Sequence, residues 1–179
     1  MSSTRIIGFA GWSGAGKTTL ITRLIPLLRD RGVSVSTIKH AHHEFDMDKP
    51  GKDSYEHRRA GASEVLVASG HRWALLHELR GAPEPELGEL LGKLAPVDLV
   101  LIEGFKRTTP IKIEICRPSL GKPLLYPDDP AVVAVASDMA LPLPRGISGL
   151  ALDDLPAIAD FVLQRAMPAA RALFSLLEV

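Results

Sequence analysis

Near-continuous apolar runs alternate along the chain with amphipathic stretches. That pattern belongs to a parallel sheet buried on both faces and covered by helices. Residues 5–10 form the first apolar run and predict a buried strand. Residues 17–31 carry Leu20, Ile21, Leu24, Leu27 and Leu28 on one stripe, with Gly32 as the stop, and predict the first helix. Pro26 inside it predicts a kink or a lost hydrogen bond near the third turn. Residues 33–38 alternate as a second strand, so the chain opens as strand, helix and strand.

A polar loop over 39–53 follows, long enough to suggest a role of its own. Asp53-Ser54-Tyr55-Glu56 reads as a capping box for a short helix through Arg59, stopped by Gly61. The runs 65–68 and 73–76, separated by Ser69-Gly70-His71, predict a β-hairpin. Prolines bound a helix over 84–94. Residues 98–104 form a buried strand that ends in Glu103; its first residue, Asp98, reads as a solvated start. Residues 111–116 alternate as another strand, and 118–130 are a proline-rich loop. Residues 132–136 predict a last buried strand, ending in Ser137-Asp138. A loop and then a helix from about Asp153 complete the chain, with Pro168 separating a final amphipathic segment.

Composition narrows the classes. A chain of 179 residues with 46% hydrophobic and 23% charged residues predicts one folded domain spanning 1–179. A formal net charge of +0 argues against wholesale attraction to nucleic acid or a membrane surface. Cys116 has no second cysteine to pair with and sits in an apolar alternating run, so a core thiol in a reducing compartment is expected. No apolar run approaches spanning length, and the first strand comes too early to follow a leader, so a cytoplasmic protein is expected.

The chemistry concentrates where the first strand ends. Gly11-Trp12-Ser13-Gly14-Ala15-Gly16-Lys17-Thr18-Thr19 has the glycine, lysine and hydroxyl spacing of a phosphate-binding loop (Walker A), between a strand and a helix. Glycines let consecutive backbone N–H groups converge on phosphate oxygens, and the helix beginning near Lys17 aims its unpaired N–H groups at the same anion. Lys17 would reach the β- and γ-phosphates, and the Thr18 hydroxyl would ligate Mg²⁺. The expected fold is α/β and P-loop NTPase-like: a mostly parallel sheet with helices on both faces and an added β-hairpin.

Ligands of such sheets bind beyond the carboxyl ends of the strands. Glu103 stands there, where phosphate-loop enzymes usually place the acid of the metal shell, but as glutamate followed at once by Gly104. It would touch the metal shell or orient an attacking water. His40, His42 and His43, with Asp46 and Asp48, fit three readings: a lining of the active site in which Asp46 or Asp48 positions water or a hydroxyl, a transition-metal site, or an ordinary polar loop. Asp138 reads either as a turn residue or as the reader of the base. A carboxylate accepts from guanine's N1–H and amino group, whereas adenine presents a lone pair at N1, so the second reading favours GTP.

Together these residues resemble the molybdopterin-guanine dinucleotide biosynthesis protein B (MobB) family. The resemblance is carried by residues 11–19, Ile38-Lys39-His40-Ala41-His42-His43, Asp46, 48–56, Arg59-Ala60-Gly61-Ala62, Arg72-Trp73-Ala74 and Ile102-Glu103-Gly104-Phe105-Lys106. It spans about 5–138, and the 39–62 stretch is its most specific part. It implies a GTP-binding protein with weak hydrolysis that acts beside the molybdopterin guanylyltransferase in making the guanine dinucleotide form of the molybdenum cofactor. It also implies a homodimer with extra β structure near 65–76, nucleotide phosphates on 11–19, Lys17 and Thr18 serving phosphate and Mg²⁺, and Glu103 in the metal-side position. Two other classes fit the same residues: a small-molecule kinase, and a non-catalytic adaptor that presents cofactor or sets affinity for the transferase.

Overall fold

The computed structural model describes residues 4–41, 45–105 and 108–170. They fall into two compact units, 1–40 with 87–179, and 41–86. In chain order the elements are β1 (Arg5–Ala10), α1 (Lys17–Asp30), β2 (Val35–Lys39), α2 (Asp53–Arg59), β3 (Glu64–Ala68), β4 (Trp73–His77), α3 (Leu87–Gly92), β5 (Leu99–Glu103), β6 (Lys112–Cys116), β7 (Val132–Ser137), β8 (Ser148–Ala151), α4 (Leu155–Arg165) and β9 (Met167–Pro168), with 3-10 turns at Pro118–Leu120 and Tyr126–Asp128.

The larger unit is built on a sheet in the order β2-β5-β1-β6-β7-β8, parallel throughout. β6 enters beside β1 only from Gly8 onward, and β9 runs antiparallel along the start of β1, at Arg5 and Ile6. Alternate side chains of β1 and β5 point to opposite faces. Ile7, Phe9, Leu99 and Leu101 pack with Leu20, Leu24 and Leu28 of α1 and Ile158 and Val162 of α4. Ile6, Val100 and Ile102 pack on the other face with Leu87 of α3. This is the expected α/β architecture with helices on both faces, and β1 sits at the switch point where the connections change direction, with the phosphate loop at its carboxyl end.

Helix α1 runs through Pro26, which is exposed and lacks the N–H, the lost hydrogen bond expected there. Several other expectations change. Asp98 is no idle start residue: it accepts from Ser34 N at 2.8 Å and Ser34 Oγ at 2.6 Å, fastening the start of β2 to β5. Those bonds, the hydroxyl first, hold its carboxyl below the usual carboxylate range. Strand β6 does not alternate between core and solvent, because Lys112 and Glu114 are as buried as Ile113 and Ile115. Lys112 Nζ meets Asp129 Oδ2 at 2.6 Å, and Glu114 accepts from Leu125 N and Tyr126 N at 2.8 and 3.0 Å, so the proline-rich segment supplies what burial removed. Burial still pushes the Glu114 carboxyl up. β7 is not the last strand; β8 and β9 follow it, with Asp154 capping α4 by accepting from Ala157 N at 3.0 Å. Cys116 is half-buried, and its thiol is pushed up by desolvation.

The 41–86 unit contains α2 and the antiparallel β3–β4 pair, in the register Val65↔Leu76 and Leu66↔Leu75. The expected hairpin is present, closed by Ser69 N donating to Arg72 O at 2.9 Å. The capping box is not. Lys52 is the N-cap without a side-chain bond and Asp53 is already helical; Asp48 Oδ1 instead accepts from Ser54 Oγ at 2.9 Å.

Candidate functional site

The phosphate loop turns away from β1 at Gly11, whose φ of 145° favours glycine and whose Cβ, if present, would stand 2.5 Å from Ile115 O. A side chain there would push β1 and β6 apart. Gly16, in the left-handed conformation, is the N-cap of α1, so the helix's first N–H groups face the loop. Lys17 Nζ donates to Gly11 O and Trp12 O at 2.9 and 3.0 Å and thus lies across the loop's mouth. Trp12 Nε1 donates to Pro123 O at 2.7 Å, and Lys122 Nζ stands 5.7 Å from its ring centroid, so the segment held by Glu114 also holds the loop.

Glu103 and Thr18 meet. Thr18 Oγ1 donates to Glu103 Oε1 at 2.8 Å, and the glutamate side chain is only 13% exposed. Lys39 Nζ lies 3.6 Å from the same carboxylate oxygen. A hydroxyl and a carboxylate at the open end of a parallel sheet form an oxygen-only donor set, which suits a hard cation such as Mg²⁺. Gly104 then reverses the chain with φ 95°, where a Cβ would stand 2.7 Å from His40 Cβ. His40 N donates to Glu103 O at 2.8 Å and its ring packs on Phe105 at 4.7 Å, so His40 is part of the strand end.

On the far side of the loop, Asp138 accepts from Arg117 Nη1 at 2.7 Å, and Arg117 Nε donates to Ala15 O at 3.1 Å. Arg117 and Asp138 line a recess of about 190 Å³ with Gly16, Thr19, Arg23 and Asp153. Arg117 belongs to no sequence motif; its one signal is a basic residue directly after a buried strand at the sheet's carboxyl end.

Asp46 lies in the 41–86 unit. Both its oxygens accept from Arg58 Nη2 at 2.9 Å. Arg58 also donates to Glu78 Oε1 at 2.9 Å and lies 3.4 Å from Asp48 Oδ2. The Asp48 backbone N–H and then Arg58 hold the Asp46 carboxyl below the usual range, while its carboxylate partners raise Arg58 further. Among the described residues no three histidine, cysteine or acidic side chains form a metal cluster; His42 and His43 lie outside the described residues.

A family model described as Molybdopterin guanine dinucleotide synthesis protein B (MobB) matches residues 6–138. The chain belongs to the MobB family. It is 45% identical to the Molybdopterin-guanine dinucleotide biosynthesis adapter protein of Escherichia coli, over 89% of this chain and 91% of that one. It is 42% identical to the protein of the same name from Haemophilus influenzae, over 88% and 86%. Among solved MobB structures, the crystal structure of molybdopterin-guanine biosynthesis protein B is 28% identical with a TM-score of 0.70, covering 89% of this chain and 98% of that one. Bacillus subtilis MobB is 25% identical with the same TM-score, covering 90% and 98%. The family match begins in β1 and ends at Asp138, so it takes in the phosphate loop, Glu103 and Arg117. No helix among the described residues is long and apolar enough to cross a membrane.

Proposed function

We propose that the chain binds GTP with Mg²⁺ on residues 11–19, hydrolyses it slowly, and serves as an adapter to the guanylyltransferase that builds molybdopterin-guanine dinucleotide. The observation that carries this reading is the Thr18–Glu103 hydrogen bond beside Lys17, which gathers a metal-ligating hydroxyl, a carboxylate and a phosphate-binding cation at one strand end. Backbone N–H groups of the loop and of α1, with Lys17, hold the triphosphate and neutralise charge that develops on the β–γ bridge. A bound Mg²⁺ would supply positive charge against the phosphate oxygens. Thr18 and Glu103 are the residues to hold it, Thr18 as a direct ligand and Glu103 directly or through a bound water.

The adapter role draws on the names of the relatives, and the molybdopterin partner comes with it. A homodimer is proposed on the β-hairpin: Leu66, Trp73 and Leu75 lie on one face of it and are all exposed. Dimer formation would bury an apolar strip that a single copy leaves in water. Leu75→Asp is expected to halve the mass seen in sedimentation; a wild-type chain that already runs as a monomer removes the dimer.

Calorimetric titration with GTP, ATP and a pterin phosphate, each with and without Mg²⁺, tests the nucleotide reading. GTP is expected to bind with Mg²⁺-dependent affinity and in preference to ATP. Absence of heat from every nucleotide would refute it.

A further inference from the structure

Arg117 ties the phosphate loop to Asp138, through Nε to Ala15 O and through Nη1 to Asp138 Oδ2. Gly16 lies close against it: a Cβ there would come within 3.6 Å of Nε and Nη2. The two side chains are 39% and 36% exposed and line the same recess, whose wall continues to Thr19 on α1. An ion pair at that exposure contributes little to stability, so holding the fold together does not account for it.

Its chemistry accounts for it better. An arginine bonded side by side to a carboxylate presents a row of N–H donors next to carboxylate oxygens. The Watson–Crick edge of guanine is the complement of that row, with O6 accepting and then N1–H and the amino group donating. Adenine reverses it, placing its amino donors against the guanidinium and its N1 lone pair against the carboxylate. We infer that Arg117 is a specificity-determining residue that reads guanine jointly with Asp138, the guanidinium donating to O6 while Asp138 accepts from N1–H and the amino group. The Nε bond to Ala15 O fixes the fork relative to the phosphates, so the tail and the base are measured against one side chain. This rests on the proposal that GTP occupies the phosphate loop with its base toward Asp138.

Titration calorimetry of wild type, Arg117→Gln and Arg117→Lys with Mg²⁺ and GTP, ATP or inorganic tripolyphosphate tests it. Wild type is expected to prefer GTP over ATP. Arg117→Gln is expected to lower GTP affinity by roughly tenfold to a hundredfold, and that for ATP and tripolyphosphate by less than about threefold. Arg117→Lys keeps a cation but loses the planar fork, and is expected to lose most of the preference too. Tripolyphosphate binding verifies that each variant has folded its loop. Equal weakening of all three ligands would reduce Arg117 to a support of the loop and overturn the inference, as would an unchanged GTP-to-ATP ratio in both variants. Wild type that binds GTP and ATP alike would overturn the guanine reading and this inference together. Wild type that binds none would remove the nucleotide proposal itself.

Discussion

The sheet unit seals both faces of its central strands, with Ile6, Ile7, Phe9, Leu99, Leu101 and Ile102 all withdrawn from solvent, whereas Val65 is the one buried hydrophobic residue described in the 41–86 unit. Burying one valine contributes about 1.5–3 kcal/mol, while ordering backbone costs about 1–2 kcal/mol per residue. The smaller unit is instead organised by polar contacts. Arg58 gathers Asp46, Asp48 and Glu78, Tyr55 packs its ring on the same guanidinium, and Arg80 Nη2 donates to Arg58 O and Ala62 O at 2.7 and 2.9 Å. A segment with so little core depends on further burial, and its exposed Leu66, Trp73 and Leu75 are the surface available for it. The strand ends of the sheet are thus held by a packed core, whereas the hairpin leaves apolar side chains in water.

The largest effect that should separate the two regions is at Lys17. Lys17→Ala removes charge-assisted bonds worth about 1.5–3 kcal/mol each, so GTP affinity is expected to fall at least about a hundredfold while oligomeric state stays unchanged. Parallel calorimetry and sedimentation check both halves, and a variant that keeps its affinity would break the comparison. Arg58→Gln should do the reverse. It strips Asp46, Asp48 and Glu78 of their common partner, so amide exchange over 53–59 and 64–77 is expected to accelerate by roughly tenfold or more, with β5 unaffected. Mass spectrometry of exchange reads this directly; protection lost evenly across the chain would mean that the units do not unfold separately.

The smallest effect concerns acid. The folded carboxyl of Asp98 is held below its unfolded value of about 3.9, so its contribution is fully present above that pH and disappears as pH falls through the lower folded value. Asp98→Asn is expected to lower the melting temperature slightly at pH 7 and to make the loss below about pH 4 shallower. Superimposable melting curves from neutral to acid would assign the Ser34 bonds no role in stability.

How far the sequence carries the reader differs by element for physical reasons. β1, α1 and β5 are legible because each is a long apolar pattern ended by glycine or a charge, and the phosphate loop because its spacing is itself the chemistry. β6 misleads because Lys112 and Glu114 look like a solvent face, yet Asp129 and the N–H groups of Leu125 and Tyr126 neutralise them from beyond a turn that periodicity cannot see. β8 and β9 escape because strands of four and two residues carry almost no pattern. In the site, the nearness of Thr18 and Glu103 follows from sheet logic, since β5 lies beside β1. The Arg117–Asp138 pair does not, because a lone arginine after a strand reads like any solvated charge until β6 and β7 are known to be neighbours.

A crystal structure of the chain with Mg²⁺ and a non-hydrolysable GTP analogue would decide whether the phosphate loop and Thr18 hold nucleotide and metal. The triphosphate is expected within the amides of 11–17, Mg²⁺ about 2.0–2.1 Å from Thr18 Oγ1, and Glu103 bound to the metal or to one of its waters. Nucleotide density away from the loop, or a metal bound without Thr18, would contradict it.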